Sequence, residues 1–577
     1  MCLENFLGEQ MAKKNKAQEE FKYLHKLRGW ITLSSDFMEK KFRRNYDDNW
    51  NRYENDSKSH SSTLSDMKNR DILWINQYYP DMEILRAAIR FSNPRIFVKA
   101  NVQQIEGVSG IEGVSGQDRA FFAQDYLNWI NYEINSKKTF ERVRDDGLIG
   151  NFGVCMITWD IEEGVGVTQD DIYIKKDQQA LLYIYPKDFG VDPECTDPHE
   201  FTDARWCWRR VVMPLDWAKY QFKVKDLAAS ATAFYKPGNR KGSEKPAVDL
   251  DDLERAVLYE IWQKPTPEER SNNSKGKVTV LAEGYDGDNG FGKGILKESD
   301  WPYRMEGYPF SGIRINDRTD AFYGVPMFQQ YESQVEEQSL LRTAQLQNAY
   351  YTSNIKAVIN TEMMDPTEAL KLTDGIPSII RVKGDVNAAV RYQTPGSVSA
   401  EFYTLDVKNK NDMDNQLGIN DIKRGAVGRS DSATEAAIAA KSTDARFLMI
   451  LDKFVDLYIR VQRKFIQLAK QYLDEKVVLR VINDPSRAGA FTKPFSKFDL
   501  EGEFDIRVDV QEMTPVSAET EAMKMLNLLK QLLEATKNPF FINLAAQSGI
   551  TFQIDKLLFE IQRRLGLDAL EFVKKGD

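Results

Sequence analysis

After Gly324-Val325-Pro326 the chain reads MFQQYESQVEEQSLLRTAQLQNAYYTSN, from Met327 to Asn354, and no Gly or Pro follows until Pro366. The stretch predicts one helix of 28 residues, about 42 Å long at 1.5 Å per residue. Pro326 suits its first position, where the missing N–H costs nothing. Its surface is rich in glutamine: Gln329, Gln330, Gln334, Gln338, Gln345 and Gln347. Ser399–Leu417 predicts a second, largely polar helix. Between them lies a short α/β insert, read as strand Lys356–Ile359, helix Pro366–Leu372 and strand Ser378–Val382. A polar helix pair buries little of itself within one chain, so it fits a ring in which neighbouring copies pack side by side. An exposed helical hairpin is the plainer reading.

Downstream, Asn420–Asp431 (NDIKRGAVGRSD) is a loop with two glycines and the basic residues Lys423, Arg424 and Arg429. Ser432-Ala433-Thr434-Glu435 is a capping box, in which Ser432 and Glu435 satisfy each other's backbone donors. The absence of Gly and Pro until Pro485 predicts a helix from Ala433 to about Glu475. Its apolar stripe includes Leu448, Leu451, Val455, Tyr458, Phe465, Ala469 and Tyr472. Strands at Val477–Ile482 and Phe504–Val510 follow, then helices at about Ala518–Ala535, Phe540–Gln547 and Thr551–Leu565.

Upstream, residues 1–60 are polar and charged, and the basic run Lys40–Arg44 (KKFRR) reads as a solvated helix face. Leu64–Phe91 has helical spacing, with Pro80 dividing it into two helices. Asn93-Pro94-Arg95-Ile96-Phe97-Val98 turns into a strand, and the block IEGVSG is repeated at 105–110 and 111–116 as a Gly-rich loop. Phe121–Ser136 and Thr139–Leu148 predict helices. Val154–Trp159, Tyr183–Tyr185 and Ala204–Val212 predict strands, Pro214–Gln221 a short helix, and Ala256–Trp262 with Lys277–Ala282 a strand pair. Lys236–Lys245 reads as a linker. The expected class is α+β.

Composition narrows the function. The chain has 577 residues, with 31 Phe, 24 Tyr and 10 Trp, enough for a large core. No apolar run approaches the roughly 20 residues that span a bilayer. Met1–Gln10 lacks a secretory pattern. Met11-Ala12-Lys13-Lys14 reads as an alternative start, because codons for Gly8-Glu9 can resemble a ribosome-binding site. Four cysteines make no disulfide framework in so long a chain. The net charge of −9 argues against a tight electrostatic clamp on nucleic acid, though not against a passage for it.

Three motifs invite chemistry and each has a plainer reading. Gly287–Lys293 (GDNGFGK) matches the start of a phosphate-binding loop, but Gly294 stands where Ser or Thr must bind magnesium, so a hairpin loop is expected. Cys155, Cys195, His199 and Cys207 lack the knuckle spacing of a zinc site, so buried thiols are expected. The acidic clusters Asp249/Asp251/Asp252 and Asp412/Asp414 would be the ligands of a metal-dependent nuclease, against a solvated face. With three histidines and no nucleophile elbow, no catalytic residue, metal or cofactor is assigned.

The ordered set of motifs resembles the portal proteins of tailed bacteriophages, from about Asn93 to Met513. Asn93–Val98 is similar to that family's early wing strand, and Gly147–Asp160 (GLIGNFGVCMITWD) to the helix-to-strand passage after it. Asp188-Phe189-Gly190-Val191-Asp192-Pro193 with Asp203-Ala204-Arg205-Trp206 resembles its Asp-Pro turn. Phe322-Tyr323-Gly324-Val325 looks like the start of the first stem helix, and Ser432–Glu435 like the opening of the long helix after the tunnel loop. The resemblance implies a wing (61–320 and 476–512), stem helices (321–354 and 399–419) and a clip (355–398), while residues 1–60 match nothing in it and are taken as an N-terminal arm. It further implies a tunnel loop (420–432), a long helix (433–475) and a crown (513–577). It implies a ring of about twelve subunits at a capsid vertex, through which double-stranded DNA is packaged and ejected. Expected partners are further copies, that DNA, capsid and scaffold proteins, the terminase and a head–tail adaptor, without a membrane. Location would be the virion, and the host cytoplasm during assembly. Lys423, Arg424 and Arg429 would face DNA, with pairing to Asp421 and Asp431 as the alternative. Glu362, Asp365, Glu368, Lys371 and Asp374 would form the docking surface of the clip. A metal-dependent nuclease and a monomeric adaptor or scaffold protein are the rival readings.

Overall fold

The computed structural model describes residues 2–55, 72–89, 94–100, 116–160, 167–169, 172–174, 178–230, 254–271, 276–288, 290, 292, 294–353, 356–371, 380–393, 400–417, 433–473, 477–480, 492–495, 500, 504–508, 527 and 530. The chain opens on helix α1 (Cys2–Met38), passes through a π-helical turn at Glu39–Arg43 and continues as α2 (Arg44–Tyr53). Then come α3 (Tyr78–Ala88), β1 (Ile96–Ala100), α4 (Gly116–Glu133) and α5 (Ser136–Gly150). Strands β2 (Gly153–Asp160), β3 (Val167–Gln169), β4 (Ile172–Ile174), β5 (Gln178–Ile184), β6 (Phe189–Val191) and β7 (Trp206–Pro214) precede α6 (Leu215–Phe222). β8 (Arg255–Gln263), α7 (Pro267–Ser271), β9 (Lys277–Ala282), β10 (Ile295–Asp300) and β11 (Phe310–Ile313) lead to α8 (Glu332–Ser353). β12 (Lys356–Ile359), α9 (Pro366–Leu370), α10 (Val386–Ala389), β13 (Val390–Gln393), α11 (Ala400–Leu417) and α12 (Ala433–Tyr472) follow. β14 (Val477–Arg480), β15 (Thr492–Phe495) and β16 (Phe504–Val508) complete the described elements. The mixture of helix and sheet is the expected α+β class.

The chain folds as two compact units: 1–50 with 82–326 and 444–577, and 51–81 with 327–443. In the larger unit, β10-β9-β8-β7-β6 form an antiparallel sheet and β11-β2-β5 a second one. The expected pair Ala256–Trp262 and Lys277–Ala282 is the β8–β9 ladder. β1 pairs with β16, so a strand near residue 96 is completed by one some 400 residues later. The other edge of β1 is closed by side chains of α4: Ile96 N and Val98 N donate to Asn128 Oδ1 and Gln124 Oε1 at 3.0 and 3.2 Å. An edge closed this way cannot template further pairing. The core is aromatic. Phe152 is buried among Phe42, Phe189, Phe322 and Tyr323. Gly190 stands directly opposite Trp208 in the β6–β7 ladder, and a methyl group there would overlap the indole.

The polar N-terminal segment is a packed element of this unit. Trp30 stacks on Trp206 at 4.5 Å, and Arg28 donates to Tyr285 O and to Asp286 at 3.0 and 2.7 Å. Gly294 has no Cβ to collide with Leu24 of α1. Leu448 of the expected apolar stripe on α12 is exposed, whereas Leu451, Tyr458, Phe465 and Ala469 are buried.

In the smaller unit the structure corrects two helical expectations. Residues 72–77 are extended, and the helix begins at Tyr78 with Pro80 in its first turn. The reason is a match of repeats. Leu73 N and Ile75 N donate to Thr343 Oγ1 and Ser339 Oγ at 2.9 and 3.2 Å. Two residues of extended chain rise about 6.6 Å and four of helix about 6 Å, so alternate amides meet hydroxyls four apart. The helix expected from Met327 starts as a 3₁₀ turn at Met327–Gln330, and α8 proper begins at Glu332. Residues three apart eclipse in that geometry, which sets Phe328 and Tyr331 against Tyr78 at 4.9 and 5.4 Å.

The insert carries a third correction. The partner of β12 is β13, in register Lys356↔Gln393 to Ile359↔Val390, and 380–382 form no strand. Lys383 N bonds Met363 O at 2.8 Å and Arg381 N bonds Glu368 at 3.4 Å, so that segment lies along α9. Gly384, at φ +97°, then turns the chain toward α10, which Asp385 caps through Asn387 N. The helices expected at 540–547 and 551–565, and all but residues 527 and 530 of the one at 518–535, lie outside the described residues, as does the IEGVSG repeat.

Candidate functional site

Three features mark the smaller unit as the place to look: the α8/α11 pair, the insert between them and the segment joining α11 to α12. The pair is tied by Asn409, which donates to Gln334 O at 2.7 Å, and by buried Val335 and Met413. Away from that seam it exposes large apolar side chains. Leu346 and Tyr350 stand four apart on α8, and Tyr403 and Val407 four apart on α11. Such spacing places each pair on one helix face. Tyr350 is 66% and Tyr403 59% exposed. Lys423, Arg424 and Arg429 lie outside the described residues, between Leu417 and Ala433.

The insert brings four of its five predicted residues into one small region, and Asp374 lies outside the described residues. Asp365 is the N-cap of α9, accepting from Thr367 N and Oγ1 at 2.9 and 2.7 Å, and Pro366 takes the first helical position. The bond from the Thr367 hydroxyl holds its carboxyl below the usual range. Glu368 pairs with Lys371 at 2.8 Å, which lowers the Glu368 pKa in the same direction. Glu362 is exposed. Three of the four are therefore engaged within the insert. Sequence reasoning missed its exposed apolar side chains, Val358, Leu370 and Val386, 54%, 66% and 64% accessible. Leu370 and Val386 sit on helices of five and four residues, where at most one side chain, Ala389, is buried.

In the larger unit, α12 is bonded along its length to the segment before the 3₁₀ turn. Lys453 donates to Ile315 O and Asp317, Arg460 to Gly312 O, and Lys464 to Phe310 O and Ser311 Oγ. Gln467 accepts from Glu306 N, while Gln471 accepts from Arg304 N and donates to Pro302 O. Positions 453, 460, 464, 467 and 471 share one helix face. As the helix number rises, the partner number falls from 317 to 302. Burial pulls the Lys464 ammonium down to about 8. The same unit holds the Asp-Pro turn. Asp192 accepts from Arg205 Nε and Nη2 at 2.5 and 2.9 Å. Asp203 accepts from Thr196 N and Oγ1 and from the Cys195 thiol at 2.8, 2.7 and 2.9 Å. Burial would raise Asp203, but those bonds outweigh it and hold the carboxyl down to about 2.

The remaining motifs resolve as follows. Of Gly287–Lys293, residues 287, 288, 290 and 292 are described: Gly294 N bonds Gly287 O at 2.6 Å, and strand β10 follows where a phosphate loop needs a helix. Cys155, Cys195 and Cys207 are buried free thiols. Among the described residues no group of three or more His, Cys, Asp or Glu could hold a metal ion, and Asp249, Asp251 and Asp252 lie outside them. Among the described residues, too, no helix is long and apolar enough to cross a membrane.

The family model described as phage P22-like portal protein matches residues 29–546. No curated protein matches the chain.

Proposed function

The chain belongs to the phage P22-like portal protein family, and from that premise we propose that it assembles into a ring, built on α8 and α11, through which double-stranded DNA enters and leaves a capsid. The observation that supports this reading is the apolar surface left exposed on that helix pair and its insert. In a closed ring each copy offers one face to the next and receives the other, which covers Leu346, Tyr350, Tyr403 and Val407 without any further partner. Twelve copies at one capsid vertex is the stoichiometry proposed. The portal role is structural, and no catalytic step is assigned.

The segments take these proposed roles. The α8/α11 pair is the stem, and 355–398 the clip, where the terminase and later a tail adaptor dock. Val358, Leu370 and Val386 supply apolar contact there, and Glu362 a charge at the rim. Lys423, Arg424 and Arg429 give transient, salt-sensitive attraction to phosphates without reading sequence. The net charge of −9 keeps the duplex from adhering elsewhere. The row of bonds from Lys453 to Gln471 then fixes α12, which begins directly after that loop, to the chain leading into the stem. Electron microscopy of the purified full chain in negative stain tests the assembly. Closed rings with a central channel are expected, and a monodisperse monomer at every concentration would defeat the reading. Reversing all three loop charges should shorten or destabilise packaged DNA, and unchanged packaged length and retention would remove the loop assignment.

A further inference from the structure

Asp146 on α5 is a buried carboxyl at the seam where α2 lies on the larger unit. Its Oδ1 accepts from the Tyr46 hydroxyl of α2 at 2.6 Å, and its Oδ2 from the Tyr183 hydroxyl of β5 at 2.5 Å. Among the described residues no cation donates to it. The charged groups around it are engaged elsewhere. On its own helix, Arg142 lies over the Tyr183 ring at 5.5 Å, and Asp145 takes Arg86 and Arg144 at 3.1 and 2.9 Å. On α2, Asp47 is bonded by Lys187, whose ammonium lies over the rings of Tyr46 and Tyr185 at 5.3 and 5.9 Å. From the π turn, Arg43 donates to Lys187 O at 3.2 Å. The seam is otherwise tightly made. Asn49 donates to Ile149 O at 3.1 Å, and the bare Cα of Gly150 leaves room for the Tyr46 ring.

We propose that the Asp146 carboxyl, held between Tyr46 of the N-terminal arm and Tyr183 of the sheet, is a proton-linked latch that seats the arm most firmly when protonated. A buried carboxylate served only by neutral donors is costly, whereas the neutral acid is not. Burial, opposed by the bonds from Tyr183 and Tyr46, pushes this group from 3.8 up to about 7. When the arm lifts, the carboxyl meets water and returns to its ordinary value. The seated state therefore binds the extra proton. Its added stability is complete below about pH 4 and is lost as pH rises toward 7.

Hydrogen exchange read by mass spectrometry on the full chain, at pH 5, 6, 7 and 8 and corrected for intrinsic rates, tests this on peptides covering 44–50. The opening constant of the arm should rise up to about tenfold per pH unit between 5 and 7, the slope of one linked proton, and level off above. In Asp146→Asn the slope should vanish. Tyr183→Phe removes a donor that favours the carboxylate, so its plateau should begin at higher pH. A merely structural tyrosine would raise opening equally at every pH. A flat profile in the unaltered chain, or an unchanged slope in Asp146→Asn, overturns the latch. Should Asp146→Asn not fold, an unmoved plateau in Tyr183→Phe overturns it as well.

Discussion

The large core of the larger unit and the insert of the smaller one place their polar and apolar side chains differently. In the larger one, polar groups reach across the sequence: Lys464 bonds residue 310 and Arg28 residue 285, while Asn131 and Gln462 exchange amide bonds at 2.7 and 3.0 Å. Its aromatic rings are packed on each other, with Phe152 at the centre of several pairs. In the insert of the smaller one, polar groups bond close neighbours, as Asp365 does Thr367, Glu368 does Lys371 and Asp385 does Asn387. Its large apolar side chains are exposed on the helix pair and the insert. The difference is one of degree: the larger unit also exposes Trp217 and Tyr220 on α6 but closes most of its rings into one cluster, while the smaller one leaves large apolar side chains exposed along its helix pair and insert.

The contrast can be broken most directly at the centre of the larger unit. Phe152→Ala should cost about 3–5 kcal/mol, the usual range for deleting a buried aromatic ring. Denaturant unfolding followed by tryptophan fluorescence would read it, and a loss under about 1 kcal/mol would show that the ring cluster is not the core. Gly190→Ala comes next, at about 1–3 kcal/mol, because its methyl group must displace the Trp208 indole from its cross-strand seat. The same unit should also weaken in strong acid. The Asp203 carboxyl, held down to about 2, binds fewer protons folded than unfolded. Its contribution is therefore present above about pH 4 and lost as pH falls toward 2. Asp203→Asn should flatten that part of an acid titration followed by circular dichroism. In the smaller unit the expected effects shrink. Asp365→Ala removes only a helix cap, and its effect should be confined to exchange protection around α9.

How much was legible in the sequence follows the same division. The α+β class, strands β2, β5, β7, β8 and β9 of the larger unit and the helices 400–417 and 433–472 follow from apolar periodicity and from runs free of Gly and Pro, because local spacing reports local structure, whereas β6, β10 and β11 are short or sit in turn-rich sequence and are not expected from it. The partner of β1 does not follow either, since nothing near Ile96 names Phe504–Val508 as its ladder. The extended run 72–77 reads as helix because Ile72 and Ile75 are three apart. What overrides that spacing is a pair of hydroxyls on a helix some 260 residues away. The insert misleads for a similar reason: Ile379-Ile380-Arg381-Val382 has strand composition, yet the ladder goes to Val390–Gln393. At the candidate site, charge drew attention to Asp365, Glu368 and Lys371, which are engaged with one another or with the backbone. Leu370 and Val386 are exposed on short helices, and a sequence shows that a residue is apolar but not which side of a one-turn helix it occupies.

The smallest expected effect on the subunit itself is the sharpest test of the comparison. Tyr350 and Tyr403 are exposed on different helices of the pair, so replacing both with serine removes no buried side chain. Surface substitutions of this kind usually change stability by no more than about 0.5 kcal/mol, and the unfolding midpoint of dilute, unassembled chain should stay where it is. Assembly should respond differently. Aromatic residues carry a disproportionate share of interface energy, and a ring repeats each loss once per subunit. Analytical ultracentrifugation of Tyr350→Ser/Tyr403→Ser should therefore show the ring fraction falling sharply at concentrations where the unaltered chain assembles. If the variant unfolds early, the rings are structural within one chain, and the smaller unit is not the open surface described above. If it folds and assembles as before, the faces that join the copies lie elsewhere. A chain that keeps its own stability and loses its neighbours is the outcome that distinguishes a surface built for assembly from one that is merely exposed.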